Sequence, residues 1–164
     1  MLQVRRALAE EADDSARLVE RSFVGEGFIA ADNPYVEELR AGPARFAEAE
    51  LFVAVSATGT VVGTVTYCAA GTAWAEIARP GEAELRMLAV EPSRRHGGVG
   101  AALVQACVQR AVRDGAGRVV MSTTQEMTAA HRLYERLGFS RRPERDWSPR
   151  PGLLLWVYGL DLPS

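Results

Sequence analysis

The stretch Arg86-Met87-Leu88-Ala89-Val90-Glu91-Pro92-Ser93-Arg94-Arg95-His96-Gly97-Gly98-Val99-Gly100 leaves an apolar strand, passes through a basic, glycine-rich turn and opens a helix. Glu82 to Val90 reads as the strand, and Glu91-Pro92 stops it because proline cannot extend a ladder. Gly98 to Arg113 reads as the helix, with Ala102, Leu103, Ala106, Val108 and Val112 taken as its apolar side. A turn of this kind suits an anion: glycines at 97, 98 and 100 admit a ligand close to the backbone, and the first N–H groups of the helix point outward along its dipole. Arg94 and Arg95 add positive charge, so a pyrophosphate is the natural guest. A plain strand-to-helix connection with solvated arginines is the alternative. The dinucleotide fingerprint is excluded because Leu103 stands where its third glycine belongs, and the Lys-Ser/Thr pair of a P-loop is absent.

Working outward, Leu2 to Leu8 alternates as a first strand and Ala9 to Phe23 carries apolar residues at helical spacing. Gly25 to Pro34 is a loop suited to a substrate-side lid; Tyr35 to Arg40 makes a short helix that Ala41-Gly42-Pro43 ends. Leu51 to Ala57 and Thr60 to Ala70 form an antiparallel hairpin across Thr58-Gly59, followed by a loop from Gly71 to Gly81. Beyond the glycine-rich turn, Arg118 to Thr123 is a strand and Thr124 to Leu137 a helix, with a capping box expected from Thr123 and Glu126. Gly138 stops that helix, Phe139 to Arg142 begins a strand, a Pro- and Arg-rich turn runs from Pro143 to Pro151, and Leu153 to Leu160 is a last strand. This order predicts one α/β domain over residues 1–164, a mixed sheet with helices on its faces.

Composition removes several classes of function. With 48% apolar and 24% charged residues the chain can bury a real core, and a formal net charge of −2 offers no global basic field for nucleic acid. Cys68, Cys107, His96 and His131 have no metal-ligand spacing, and the two cysteines sit in apolar stretches as buried free thiols. The N-terminus lacks the apolar core of a signal peptide and no run approaches the ~18 apolar residues of a membrane span, which predicts a cytoplasmic protein without membrane partners.

Arg95-His96-Gly97-Gly98-Val99-Gly100 matches the R/Q-x-x-G-x-G/A signature, and Ala130-His131-Arg132-Leu133-Tyr134-Glu135-Arg136-Leu137-Gly138-Phe139 matches a second signature downstream, in the same order and on the same elements. On these two motifs the chain resembles the GNAT superfamily of N-acetyltransferases. The resemblance implies a mostly antiparallel, splayed sheet of about seven strands with about four helices. It also implies acetyl-CoA as acyl donor, its pantetheine arm along the backbone of Leu88, Ala89 and Val90, and its pyrophosphate on N–H groups of Arg95, His96, Gly97, Gly98, Val99, Gly100 and Ala101. The acceptor it implies is an amine on a small molecule or peptide, and homodimerisation is expected from the same likeness.

By that resemblance Tyr134 is the general acid toward the departing sulfur, since a phenol with pKa near ~10 is protonated at neutral pH. Glu84 matches the position of a general base in the histone-acetylating branch, and the Leu88 N–H that of the oxyanion donor. A period of two places Glu84, Arg86, Leu88 and Val90 on one face, with Glu82 beside them as a water relay. Ser122 and Met127 depart from positions where some members carry a carboxylate and an asparagine, which weakens a protein N-terminal acceptor. Glu26 and Asp32 hint at a cationic amine, Trp74, Trp147 and Tyr35 are candidates for its pocket, His131 reads as a partly exposed histidine, and Arg141, Arg142 and Arg145 as a solvated strand end. Neither cysteine has a base beside it, so direct attack of the amine is expected. A domain that binds acetyl-CoA without turning it over is the alternative reading.

Overall fold

A computed structural model describes residues 2–163 of the chain. Its elements follow in the order β1 (Gln3–Arg6), α1 (Ala12–Phe23), α2 (Val36–Arg40), α3 (Gly42–Glu48), β2 (Glu50–Val55), β3 (Val61–Ala69), β4 (Glu82–Val90), α4 (Val99–Arg113), β5 (Arg118–Thr123), α5 (Thr128–Arg136), β6 (Ser140–Arg141), β7 (Trp147–Arg150) and β8 (Leu153–Asp161). One sheet runs β1-β2-β3-β4-β5-β8-β6, with β7 folded back on β8. Every pairing is antiparallel except that of β4 with β5, where α4 supplies the crossover that parallel strands require.

The sheet buries apolar residues on both faces. One face packs Tyr67, Ala83, Leu85, Val119 and Met121 against Leu103, Val104, Cys107 and Ala111 of α4; the other packs Val53, Val55, Met87 and Ala89 against Leu18 and Val19 of α1 and Leu39 of α2. Each fully buried leucine or valine among them stabilises the fold by about 1.5–3 kcal/mol relative to exposure. The phase of α4 differs from the sequence expectation: Val99, Leu103, Val104, Cys107 and Ala111 face inward, and Val112 is exposed. The expected stripe followed the abundance of apolar residues, whereas a different set at i, i+4, i+5, i+8 and i+12, sharing only Leu103 with it, faces the sheet.

Two further expectations are corrected and one is extended. Ala41-Gly42-Pro43 ends α2 at Arg40, as expected, and also starts α3, with Pro43 in its first turn, where the missing N–H does no harm. Gly42 is needed there because a Cβ would stand 2.2 Å from the Ala12 carbonyl oxygen. No capping box forms at 123–126: α5 begins only at Thr128 after Met127, and the Thr123 hydroxyl donates to the Thr124 carbonyl. The Pro143–Pro151 turn contains β7, which pairs Trp147 with Leu155 and Arg150 with Leu153.

Candidate active site

Everything at the site follows from an irregularity in β4. Against β3, Arg86 pairs with Thr66 and Ala89 with Thr64, so three steps on β4 match two on β3; the extra residue is accommodated at Met87, whose φ is 56°. A bulge of this kind reverses the inside-outside alternation. Ala83 and Leu85 belong to the face covered by α4, while Met87 and Ala89 belong to the opposite one and Leu88 and Val90 pack on the α4 side. The single face expected for Glu84, Arg86, Leu88 and Val90 is therefore broken after Arg86. Holding a methionine at positive φ costs on the order of 1–3 kcal/mol, a cost that persists where surrounding structure enforces it.

The parallel pairing of β4 with β5 ends at Leu85 and Met121, although β5 continues to Thr123 on its other neighbour, β8. Past that point the two strands part, and the backbone of Leu88 to Val90 has no strand partner on the β5 side. Two cavities open in the gap. One, of about 410 Å³, is lined by Leu88, Ala89, Val90 and the turn into α4, with Ala129 and Leu133 of α5 opposite. The second, of about 420 Å³, lies between Arg86–Leu88 and Met121–Thr124 and reaches Glu84 and Tyr134. Phe23, Phe28, Leu88, Met127 and Ala130 line both, so the two share a mouth.

Nearly all the residues expected to hold the donor converge on the first cavity: Leu88, Ala89, Val90, Arg95, His96, Gly98, Val99, Gly100 and Ala101 line it. Gly97 is the exception and lies behind the turn, where a Cβ would stand 3.3 Å from the Arg94 carbonyl oxygen. His96 and Gly98 both adopt left-handed conformations, with φ of 66° and 83°, so the chain reverses sharply and α4 starts at Val99. Gly100 is confined on its other side, since a Cβ would approach Leu133 Cδ2 to 3.0 Å. Unpaired strand backbone, a reversed turn and the N-terminus of a fifteen-residue helix form a cradle that matches an amide-bearing arm ending in phosphates. Arg95 is less free than its sequence position suggests. Its guanidinium donates to both carboxylate oxygens of Glu26, one at 2.6 Å, and its Nε to the Val90 carbonyl at 3.3 Å. Glu26 thus belongs to the donor cavity and not, as the sequence hinted, to an amine pocket.

Tyr134, 6% exposed, lines the second cavity, and its ring packs beside Phe139 and Tyr158. Burial, with the Tyr158 phenol as a smaller contribution, pushes its hydroxyl above the usual tyrosine range, so it holds its proton at any physiological pH. Glu84 is 1% exposed and lines the same cavity. Its Oε1 accepts three successive backbone N–H groups, from Glu76 (2.8 Å), Ile77 (2.8 Å) and Ala78 (3.0 Å), which fixes the loop before β4. Among the described residues its Oε2 has no donor.

Sequence reasoning missed the group beside it. Glu76, on an aperiodic loop, also lines the cavity; burial raises its carboxyl above the usual range, against the opposing pull of Arg86 at 3.1 Å. Arg86 in turn donates to the Trp74 carbonyl (2.9 Å) and to the Tyr35 hydroxyl (2.7 Å), and Trp74 lies between the guanidinium groups of Arg86 and Arg45. Tyr35 does line the pocket; Trp74 supports it from behind, and Trp147 donates to Ser122 Oγ at 2.9 Å.

Several remaining expectations change. Glu82 is not a relay: Arg145 grips both its oxygens, at 2.8 and 2.9 Å, and the Arg79 N–H occupies one. Arg145 is accordingly buried, and Arg141 is held by Asp146 over the Trp156 ring, so this cluster is internal scaffolding and not a solvated face. His131 is buried, with Nε2 2.9 Å from the Thr124 carbonyl and its ring stacked on Trp156. Cys68 and Cys107 are fully buried; burial pushes the Cys68 thiol up to about 12 and raises that of Cys107 as well, which removes both as thiolate nucleophiles near neutral pH.

The sequence profile of the acetyltransferase (GNAT) family matches residues 15–139, from within α1 to just past α5, a range that holds the lining of both cavities except Pro149, Arg150, Leu153 and Leu155. The chain belongs to that family. A GNAT acetyltransferase from Staphylococcus aureus superposes with a TM-score of 0.77 over 99% of this chain and all of its own, at 13% identity. A GCN5-related N-acetyltransferase from Kribbella flavida gives 0.70 at 26% identity, with 98% of each chain covered. The PaiA N-acetyltransferase of Thermoplasma acidophilum, solved in complex with coenzyme A, gives 0.76 over 99% of both chains at 13% identity. In sequence, N-acetylaspartate synthetase from Danio rerio is 37% identical over 70 residues, a match that spans 43% of this chain and only a quarter of that protein. The mixed, mostly antiparallel sheet is the GNAT fold, with eight strands, one parallel step and five α-helices among the described residues.

Proposed function

We propose that this protein transfers the acetyl group of acetyl-CoA to an amine held in the second cavity, by direct attack of nitrogen on the thioester. The observation that carries the reading is the parting of β4 from β5, which places a backbone-and-helix cradle and a cavity bearing the Tyr134 phenol on either side of Leu88. Bound acetyl-CoA supplies the activated acetyl group. Leu88 to Val90 offer backbone hydrogen bonds to the arm, the turn from Arg95 to Ala101 holds the pyrophosphate, and the Leu88 N–H donates to the thioester oxygen as negative charge gathers there.

Glu84, through its open Oε2, accepts the proton that the amine must lose, and Tyr134 gives its own to sulfur as the C–S bond breaks and the C–N bond forms. Solvent then returns a proton to Tyr134 and removes one from Glu84, so the net products are an amide and a free thiol. A thiol-release assay with a panel of primary amines, beside calorimetric titration of acetyl-CoA, tests the reading. The expected result is saturable acetyl-CoA binding and amine-dependent thiol release. Binding without release on any amine would favour the alternative of a silent acetyl-CoA-binding module.

A further inference from the structure

Resting on that reading, we infer that the acceptor is a primary monoamine carried on an apolar, uncharged body, such as an arylalkylamine, and neither an amino acid nor a polyamine. Two deeply buried polar groups face the second cavity without a protein partner among the described residues, the Tyr134 hydroxyl and Oε2 of Glu84, and they mark where the reacting nitrogen sits. The three carboxylates that line the cavity, Glu38, Glu76 and Glu84, gather at this end, and the Tyr35 hydroxyl is already bonded to Arg86. An ammonium group is drawn there and can be stripped of its proton. Away from it the walls are mostly apolar, with Asn33, Ser122, Thr123 and Thr124 adding only neutral polar groups: Phe23, Phe28, Met87, Met127, Leu153 and Leu155 supply aromatic rings, thioethers and aliphatic chains that gain by covering a hydrophobic body and would strand a second charge.

Charge pairing excludes the alternatives. An amino acid needs a cation for its carboxylate. Of the arginines lining the cavity, Arg86 is engaged by Glu76, the Tyr35 hydroxyl and the Trp74 carbonyl; Arg150 has no ion pair among the described residues but is exposed, so water screens what it could offer a carboxylate. A polyamine needs anions spaced along its length, and past Glu38 the wall offers none. The volume of about 420 Å³ is in the range of pockets that enclose small molecules.

The discriminating experiment measures kcat/KM by thiol release for 2-phenylethylamine, phenylalanine and spermidine on the wild-type protein, with acetyl-CoA binding followed separately by calorimetry. Phenylalanine differs from the first amine only by its carboxylate. The inference predicts that 2-phenylethylamine exceeds both others by about tenfold or more, since one misplaced buried charge is worth at least ~1.4 kcal/mol, and that Glu76→Gln raises its KM several-fold with acetyl-CoA affinity unchanged. Comparable or better turnover of phenylalanine or spermidine overturns it while leaving the transferase intact, as does acetyl-CoA binding with no turnover of 2-phenylethylamine. Absence of acetyl-CoA binding removes the transferase reading itself. The wild-type comparison stands whether or not the Glu76 variant folds, because that substitution leaves Arg86 without its counter-ion.

Discussion

The two cavities that meet at Leu88 are nearly equal in volume and are built in opposite ways. The donor cavity is made of backbone: unpaired strand groups, a turn with two left-handed residues and the first N–H groups of α4. The acceptor cavity is made of side chains drawn from α1, the loops after α1 and β3, β5, α5 and the β7–β8 hairpin. A ligand recognised by backbone can be shared by proteins with very different side chains, and the fold itself persists in solved structures at 13% identity. A ligand recognised by side chains on loops changes whenever the loops do. The contrast makes substitutions on the two sides separable in kinetics.

The largest expected effect is at the junction. Tyr134→Phe should lower kcat by about 10²–10⁴-fold with acetyl-CoA affinity unchanged, because on the proposed function it removes the proton donor and no part of the cradle. A fall in affinity of similar size would mean that the phenol belongs to the donor side. Next, Glu84→Ala on the acceptor side should lower thermal stability by roughly 1–3 kcal/mol as well as activity, since three partly buried N–H groups lose their acceptor; thermal unfolding with and without acetyl-CoA would show it. Gly98→Ala probes the donor side alone. Forcing a Cβ into φ 83° costs about 1–2 kcal/mol and should weaken acetyl-CoA binding by roughly tenfold with kcat at saturation preserved. The smallest effect concerns Glu26, whose carboxylate occupies the Arg95 guanidinium inside an anion site. Glu26→Gln should tighten acetyl-CoA binding by about two- to fivefold, in keeping with ~1 kcal/mol for a partly exposed ion pair; weaker binding would mean that the pair holds the turn in shape.

The same division decides what the sequence discloses. Strand, glycine-rich turn and helix are contiguous from Glu82 to Arg113, so hydrophobic periodicity, Pro92 and the three glycines locate the donor cradle directly. Tyr134 was legible through its motif. The bulge at Met87 was not, because it arises from the pairing of β3 with β4 and leaves no mark on the local pattern. Nor was Glu76, which gains its surroundings only when the Oε1 of Glu84 gathers the N–H groups of residues 76–78. His131 and Arg145 look like surface residues by type and are buried because Thr124, seven residues before His131, and Trp156 and Glu82, distant in sequence, satisfy them. Helix α3 escaped notice because Gly42-Pro43, read as the end of α2, also serves as a beginning, which its close contact with Ala12 accommodates.

The most direct test of the account is calorimetric titration of the pure protein with acetyl-CoA, wild type beside Tyr134→Phe and Gly98→Ala. The account predicts saturable one-to-one binding to the wild type, equal affinity in Tyr134→Phe and weakened affinity in Gly98→Ala. Absence of binding to the wild type, or binding indifferent to Gly98 and abolished at Tyr134, would contradict it.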